Sequence, residues 1–194
     1  EGCTYCLHVC PVGAISTKPV KVGELKLYER GEERFSTATL TMGSGTTGKL
    51  VSEVKKQLRD NTQETEVAIL DGSPGIGCPV IASLSGVDLA LMVAEPSVSA
   101  FSDLKRVISS ARQLQVPVAV VVNKYDMNPT ICGEIEVFCF KEGIPFLGKI
   151  PYDGQVIAAL NKGENPACLN SPASNALKSI YSKTLQVWKE HVRQ

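Results

Sequence analysis

Several things are scarce in this sequence. Aromatic residues make up 6% of it, with a single tryptophan, and there are only two histidines. Neither His8 nor His191 has a sequence neighbour that would make it half of a ligand pair or a catalytic dyad, so neither is assigned a role. Net charge is also missing, because 20 basic residues balance 20 acidic ones. That removes any electrostatic case for nucleic acid or an anionic membrane surface as a partner. No apolar run approaches the roughly 20 residues a spanning helix needs, so no integral membrane segment is expected. No signal peptide is visible, which points to a cytoplasmic location. The chain opens at Glu1, without methionine and inside a motif, and so reads as a piece of a longer protein.

What is present is ordinary globular material: 194 residues, 43% apolar and 21% charged. That length can bury one sizeable core. Seven cysteines, an odd number, include three in the first ten residues. A disulfide framework is unexpected in a chain with a large apolar core, and a metal or cluster fits the spacing better.

The stretch Val67–Leu70 is four apolar residues in a row and predicts a strand buried on both faces. It runs into Asp71–Gly72–Ser73–Pro74–Gly75. Parallel α/β sheets bind ligands at the carboxyl ends of such strands. An aspartate there can hold Mg²⁺ through its water shell, and glycines let backbone N–H groups approach a phosphate. Taken alone, Asp71 and Pro74 could equally be strand-stopping residues.

At the start of the chain, Cys3-x2-Cys6-x3-Cys10-Pro11 resembles the last three cysteines of the bacterial ferredoxin run, whose thiolates hold [4Fe–4S] clusters. The first cysteine of that run would fall just before Glu1, so the ligand set is incomplete. A zinc knuckle is the competing reading, but His8 falls inside the Cys6–Cys10 gap and supplies no fourth ligand at zinc spacing. Next, Leu25–Glu29 and Arg34–Thr41 flank Arg30–Gly31–Glu32–Glu33, which predicts a partly polar hairpin at a sheet edge. Gly43–Lys49 satisfies G-x4-G-K and opens a helix over Leu50–Arg59. Leu50 stands where a phosphate loop carries the Ser or Thr that binds Mg²⁺. That substitution removes a direct Mg²⁺ ligand; Lys49 is a candidate phosphate contact, and the competing readings are a Gly/Ser/Thr loop that caps a helix and a lysine that helps a partner or cluster contact.

Beyond Asp71 the pattern alternates. Pro79–Ser85 reads as a short helix and Val87–Ala94 as a strand followed by Glu95–Pro96–Ser97. Ser99–Leu114 reads as an amphipathic helix with Phe101, Leu104, Val107, Ile108, Ala111 and Leu114 on one face. Pro117–Val122 is a strand ending in Asn123–Lys124–Tyr125–Asp126, and Pro129–Lys141 is a helix. Ile144–Ile150 is a strand ending in Pro151–Tyr152–Asp153, with helices over Gly154–Asn161 and Ala173–His191. Alternation of this kind predicts a mainly parallel sheet flanked by helices, with the loops at 71–75, 123–126 and 151–153 on one edge. Cys132, Cys139 and Cys168 lack ligand spacing and read as structural.

Together these motifs resemble the MinD/ParA-type P-loop ATPases that contain an inserted ferredoxin domain. The likeness rests on the cysteine run, Ser44–Val51, Leu70–Ser83, Glu95–Arg106, Val122–Pro129 and Gly148–Asp153, and covers nearly the whole chain. It implies residues 1–34 as a ferredoxin-insert remnant with the hairpin, and 35–194 as the C-terminal part of a MinD-like P-loop ATPase domain. It implies that Asp71 orders the Mg²⁺ water shell and the Gly75 N–H senses the γ-phosphate. Asn123, with Asp126, would read the base, and Pro151 and Asp153 would line its pocket. Asn-Lys-x-Asp also occurs in GTPases, but in this family the Asn commonly serves adenine, so ATP is the expected nucleotide.

The resemblance further implies a Walker A segment upstream of the insert, which is absent here, so this piece is expected to be inactive alone. A missing strand beside Val67–Leu70 would leave a gap before Val87–Ala94, and the isolated piece is expected to swap or aggregate. The intact protein is expected to be a homodimer that couples ATP to an iron–sulfur module, in electron transfer or in cluster or metal delivery to a protein partner. The alternative is a non-catalytic electron-transfer or partner-binding scaffold. Cys78 matches the spacing of a cluster cysteine in the related nitrogenase iron protein. No second cysteine lies near Ser44–Lys49, so Cys78 reads as a buried thiol at a helix start, with contact to a cluster at a dimer interface as the alternative.

Overall fold

A computed structural model describes residues 3–45, 47–62 and 65–192. The chain forms two compact units, 1–83 and 84–194.

The first unit begins with a single helical turn, α1 (Tyr5–Val9). Two antiparallel strands follow, β1 (Gly23–Arg30) and β2 (Glu33–Leu40), paired from Gly23↔Leu40 to Arg30↔Glu33. The hairpin predicted from the polar turn residues is therefore present. It forms a two-stranded sheet of its own instead of an edge of the parallel sheet. Helix α2 (Thr47–Asp60) lies against β2, where the Ser36 hydroxyl donates to the Val54 carbonyl at 3.0 Å and to Gln57 Oε1 at 2.7 Å. The last element is α3 (Cys78–Leu84). Among the described residues up to 83, Val80 alone is fully buried, so this unit rests on the β1–β2 ladder and the α2 helix against it and not on a deep core.

One expectation fails here. Val67–Leu70 is not a strand; Val67 is 41% and Ile69 78% exposed. A run of apolar residues becomes a strand only where a neighbour pairs its N–H and C=O groups. Among the described residues no strand offers that ladder. Asp71 accordingly lies in irregular chain and not at a strand end.

The second unit is the alternating α/β part. Strands β3 (Ala90–Ala94), β4 (Val118–Asn123) and β5 (Phe146–Ile150) form a parallel sheet in the order β3-β4-β5. They alternate with α4 (Val98–Gln113), α5 (Pro129–Lys141), α6 (Gly154–Asn161) and α7 (Pro172–Val192). Strand β4 is central, and Ala119 through Val122 are at most 1% exposed. A strand covered on both faces needs unbroken apolar sequence, and Val118–Val122 supplies it. One face packs Val120 and Val122 against Leu104, Ile108, Ile135 and Cys139 of α4 and α5. On the other, Val121 and Ile150 pack against Ala173 and Ile180 of α7. Strand β3 is paired with β4, and among the described residues nothing pairs its other side; Val93 is 64% exposed.

Helix starts are set by local side chains. Ser97 Oγ accepts the Ala100 N–H, Asn128 Oδ1 accepts the Ile131 N–H before Pro129, and Asp153 Oδ1 accepts the Gln155 N–H. The pairing of β4 with β5 slips after Val120↔Phe146, so that Val121 faces Gly148 and Leu147 is the extra residue of a bulge. Gly148 has φ +152, and a Cβ there would lie 3.2 Å from Ile180 Cγ1. The backbone conformation favours glycine, and any Cβ would also press on the Ile180 side chain by a few tenths of an ångström.

Candidate functional site

Parallel strands deliver their carboxyl ends to one edge, and in the second unit that edge carries Glu95 after β3, Asn123–Asp126 after β4 and Pro151–Asp153 after β5. The structure thus brings together Asn123, Asp126, Pro151 and Asp153, as the alternating pattern predicts. It also shows what each polar group already does. Asn123 is half-buried, and its Oδ1 accepts the Lys124 N–H at 3.0 Å. Lys124 itself is left-handed, with φ 52, and starts a 3-10 turn over Tyr125–Met127. Its Nζ donates to Glu95 Oε1 at 2.6 Å, and that partnership raises the ammonium pKa above its ordinary value. Asp126 Oδ1 accepts the Tyr152 N–H at 2.8 Å, joining the β4 and β5 loops.

Asp153 has two tasks. It caps α6, and the Ser171 hydroxyl, helped by the Gln155 N–H, holds its carboxyl below the usual range. Ser171 belongs to a buried pair whose hydroxyls are 3.0 Å apart, with Ser174 donating to the Pro166 carbonyl at 2.6 Å. The carboxyl also lies against the Ala173 N–H, and its Oδ2 is buried, so this side chain is engaged by the start of α7 and caps α6 rather than offering an open oxygen to a ligand. Sequence reasoning overlooked Glu95, Lys124 and Tyr152. Tyr152 is 49% exposed, an accessible aromatic ring between two residues assigned to the base pocket. An ion pair across 29 residues leaves no sequence signal; an aromatic inside Pro151–Asp153 does.

The first unit holds the remaining candidates. Lys49 is exposed in the first turn of α2. The loop before it is anchored by Ser44, whose hydroxyl donates to the carbonyls of Val22 and Thr41; Thr46 of the G-x4-G-K stretch lies outside the described residues. Helices α2 and α3 run side by side in the same direction. A Cβ on Gly48 would come within 3.1 Å of Cys78 Cβ, and Lys55 Nζ donates to the Ala82 carbonyl at 3.0 Å. The Gly43–Lys49 and Asp71–Cys78 loops are therefore neighbours, which sequence alone did not show. Asp71 is exposed. Gly75 has φ +90, and no atom lies within 4 Å of where its Cβ would be. An open glycine of this kind lets a backbone N–H meet an anion closely.

Cys3 and Cys6 are exposed and Cys10 is half-buried. Cys10 Sγ accepts the Ala14 N–H at 3.3 Å, and the N–H groups from Val12 onward lower its pKa, as suits a thiolate. Yet among the described residues no three His, Cys, Asp or Glu side chains are placed to hold a metal ion. The three thiols thus do not gather as a cluster-ligand set. Cys78, expected to be a buried thiol, is instead exposed at the start of α3, where one short helix covers too little to bury it, and Cys168 is exposed as well; Cys132 and Cys139 are buried in the second unit's core. Burial pushes the Cys139 thiol up to about 11.

The fold is α/β, a parallel three-stranded sheet flanked by helices, and solved and curated proteins resemble the chain. The chain is similar to the cell division ATPase MinD of Pyrococcus furiosus, with a TM-score of 0.58 and 18% identity over 72% of this chain and 59% of that one. No protein-family model matches the chain. It is 31% identical over 144 residues to an uncharacterized protein of Methanocaldococcus jannaschii, covering 74% of this chain and 48% of that protein. It is 30% identical over 159 residues to the iron-sulfur cluster carrier protein of Pyrococcus furiosus, covering 74% and 54%. The chain spans about half the length of the curated relatives it matches. No helix among the described residues is long and apolar enough to cross a membrane.

Proposed function

We propose that this chain belongs to a MinD-like protein that binds and hydrolyses ATP in the service of iron–sulfur cluster delivery. The observation that carries the reading is the strand-end rim of the second unit, where Asn123–Asp126 and Pro151–Asp153 follow the adjacent parallel strands β4 and β5 and Tyr152 presents an exposed ring. The similarity to a cluster carrier protein supports cargo delivery over the other outputs. Asn123 takes the base edge, and Pro151 and Asp153 line its pocket. In the first unit, taken by itself, Asp71 would order the water shell of Mg²⁺, the Gly75 N–H would meet a γ-phosphate and Lys49 would be a secondary phosphate contact. Mg·ATP would supply the hydrolysable phosphoanhydride.

Residues 1–34 are proposed as a ferredoxin-insert remnant and 35–194 as the C-terminal part of the ATPase domain. Cys3, Cys6 and Cys10 are the candidate [4Fe–4S] thiolates, but their separation here carries no transfer step. A cytoplasmic homodimer and a cluster-accepting protein partner complete the reading.

The test uses full-length protein prepared anaerobically. Mg·ATP binding is expected to weaken about tenfold in Asn123→Ala, the loss of one bidentate base contact. Iron content should drop in Cys10→Ser. Unchanged affinity in Asn123→Ala would remove the rim from the site. ATP binding without turnover would favour the scaffold alternative.

A further inference from the structure

The turn after β4 is tied through three of its polar groups. Lys124 occupies the left-handed region, which an ordinary side chain enters at a cost and leaves unless its surroundings hold it there. Here it is held at its tip by Glu95, from the end of β3. Asp126, at the far side of the turn, is held by the Tyr152 N–H, from the end of β5. Two neighbouring strands therefore grip the turn from opposite sides. Between the grips, the N–H of the left-handed residue meets Asn123 Oδ1 at 3.0 Å.

We propose that Lys124 and Asp126 are positioning residues that set the orientation of the Asn123 amide and thereby select adenine over guanine. The inference rests on the nucleotide reading above. An amide has an acceptor at one end and a donor at the other. Adenine presents an amino donor and the N7 acceptor on one edge, whereas guanine presents O6 and N7, two acceptors. With the Lys124 N–H on Oδ1, the amide cannot exchange its oxygen for its nitrogen without losing that bond. The remaining lone pair of Oδ1 and the Nδ2 hydrogens match adenine, and set oxygen against the O6 of guanine. A carboxylate that read guanine would have to accept from N1–H and the 2-amino group. One oxygen of Asp126 here ties the β4 loop to the Tyr152 N–H of the β5 loop, and the Lys124 ammonium donates to Glu95.

The experiment measures binding of mant-ATP and mant-GTP, each with Mg²⁺, to the full-length protein. Wild type is expected to prefer mant-ATP. Lys124→Met and Asp126→Ala are each expected to lower that preference by about tenfold, the discrimination of one bidentate amide contact. Lys124→Arg and Asp126→Asn, which can rebuild the ties, should restore most of it. Hydrogen exchange at the Tyr152 amide, read without nucleotide, should quicken in Asp126→Ala and not in Asp126→Asn. A preference unmoved in both Lys124→Met and Asp126→Ala overturns the positioning roles. So does a gain of xanthosine triphosphate binding in Asp126→Asn, which would make the carboxylate itself a base reader. Wild type that binds neither nucleotide overturns the nucleotide reading instead, and this inference falls with it.

Discussion

Gly148 is where the fold that carries the rim can be tested most sharply. It sits in the bulge of β5, two residues before the strand ends and three before Pro151. Replacing it with alanine brings two separate costs. The Cβ would meet Ile180 Cγ1 at 3.2 Å, and overpacking of a close-packed core costs about 1–3 kcal/mol. The φ of +152 belongs almost only to glycine, and holding another residue there costs about 1–3 kcal/mol. A stiffer unfolded chain returns about 0.4–1 kcal/mol. The net expectation is a loss of about 3 kcal/mol.

Ile180→Ala separates the two costs. Alone it should cost about 2–5 kcal/mol, because a side chain 6% exposed leaves a cavity over the bulge. Combined with Gly148→Ala it removes the clash but not the strained backbone, so the double variant should be about 1–2 kcal/mol more stable than the sum of the singles. Urea unfolding followed by fluorescence reads this in the second unit, because the single tryptophan is Trp188 on α7. The Gly148→Ala midpoint should fall by about 1–2 M at ordinary urea slopes. A neutral Gly148→Ala, or singles that add to within about 0.5 kcal/mol, would refute the packing argument.

Other outcomes follow from the thiols and carboxyls. In alkylation at neutral pH followed by mass spectrometry, Cys10 should label first, because its ring of N–H groups favours the thiolate, and Cys132 and Cys139 last. The raised Cys139 pKa favours the neutral thiol in the folded state. Its stabilisation is therefore whole below the ordinary value of 9.0 and is lost as pH rises toward about 11, which a Trp188 melting series would show as a falling Tm. Asp153 has the opposite sign: its depressed pKa stabilises above the ordinary 3.8 and is lost as pH falls through the native value. Asp153→Asn should flatten that acid limb. Lys49→Ala should weaken Mg·ATP binding by about threefold, as expected of one exposed, salt-screened contact, and a complete loss of turnover would make the Gly43–Lys49 loop the main phosphate cradle.

Most of the second unit could be read before any coordinates. Pro129–Lys141 and Gly154–Asn161 coincide with their predicted bounds, and β3, β4, β5, α4 and α7 fall within a few residues of theirs. Those signals are local. A period of 3.6, a five-residue apolar run and a proline after a capping Asn act through neighbours along the chain. Asn123, Asp126, Pro151 and Asp153 were legible for the same reason, since each follows a strand whose end the sequence marks.

The tertiary structure decided everything that depends on a partner distant in sequence. Val67–Leu70 has the composition of a buried strand, but pairing is a property of two segments, and nothing within those four residues encodes the second. Cys3, Cys6 and Cys10 have a ligand's spacing, but convergence in space depends on how the intervening chain turns. The ties of Lys124 to Glu95 and of Asp126 to Tyr152 span 29 and 26 residues. What kinds of element this chain makes, and which polar residues end its strands, were determined by the sequence alone. Which of those residues remain free for a ligand was decided by contacts that exist only once β3, β4 and β5 lie side by side.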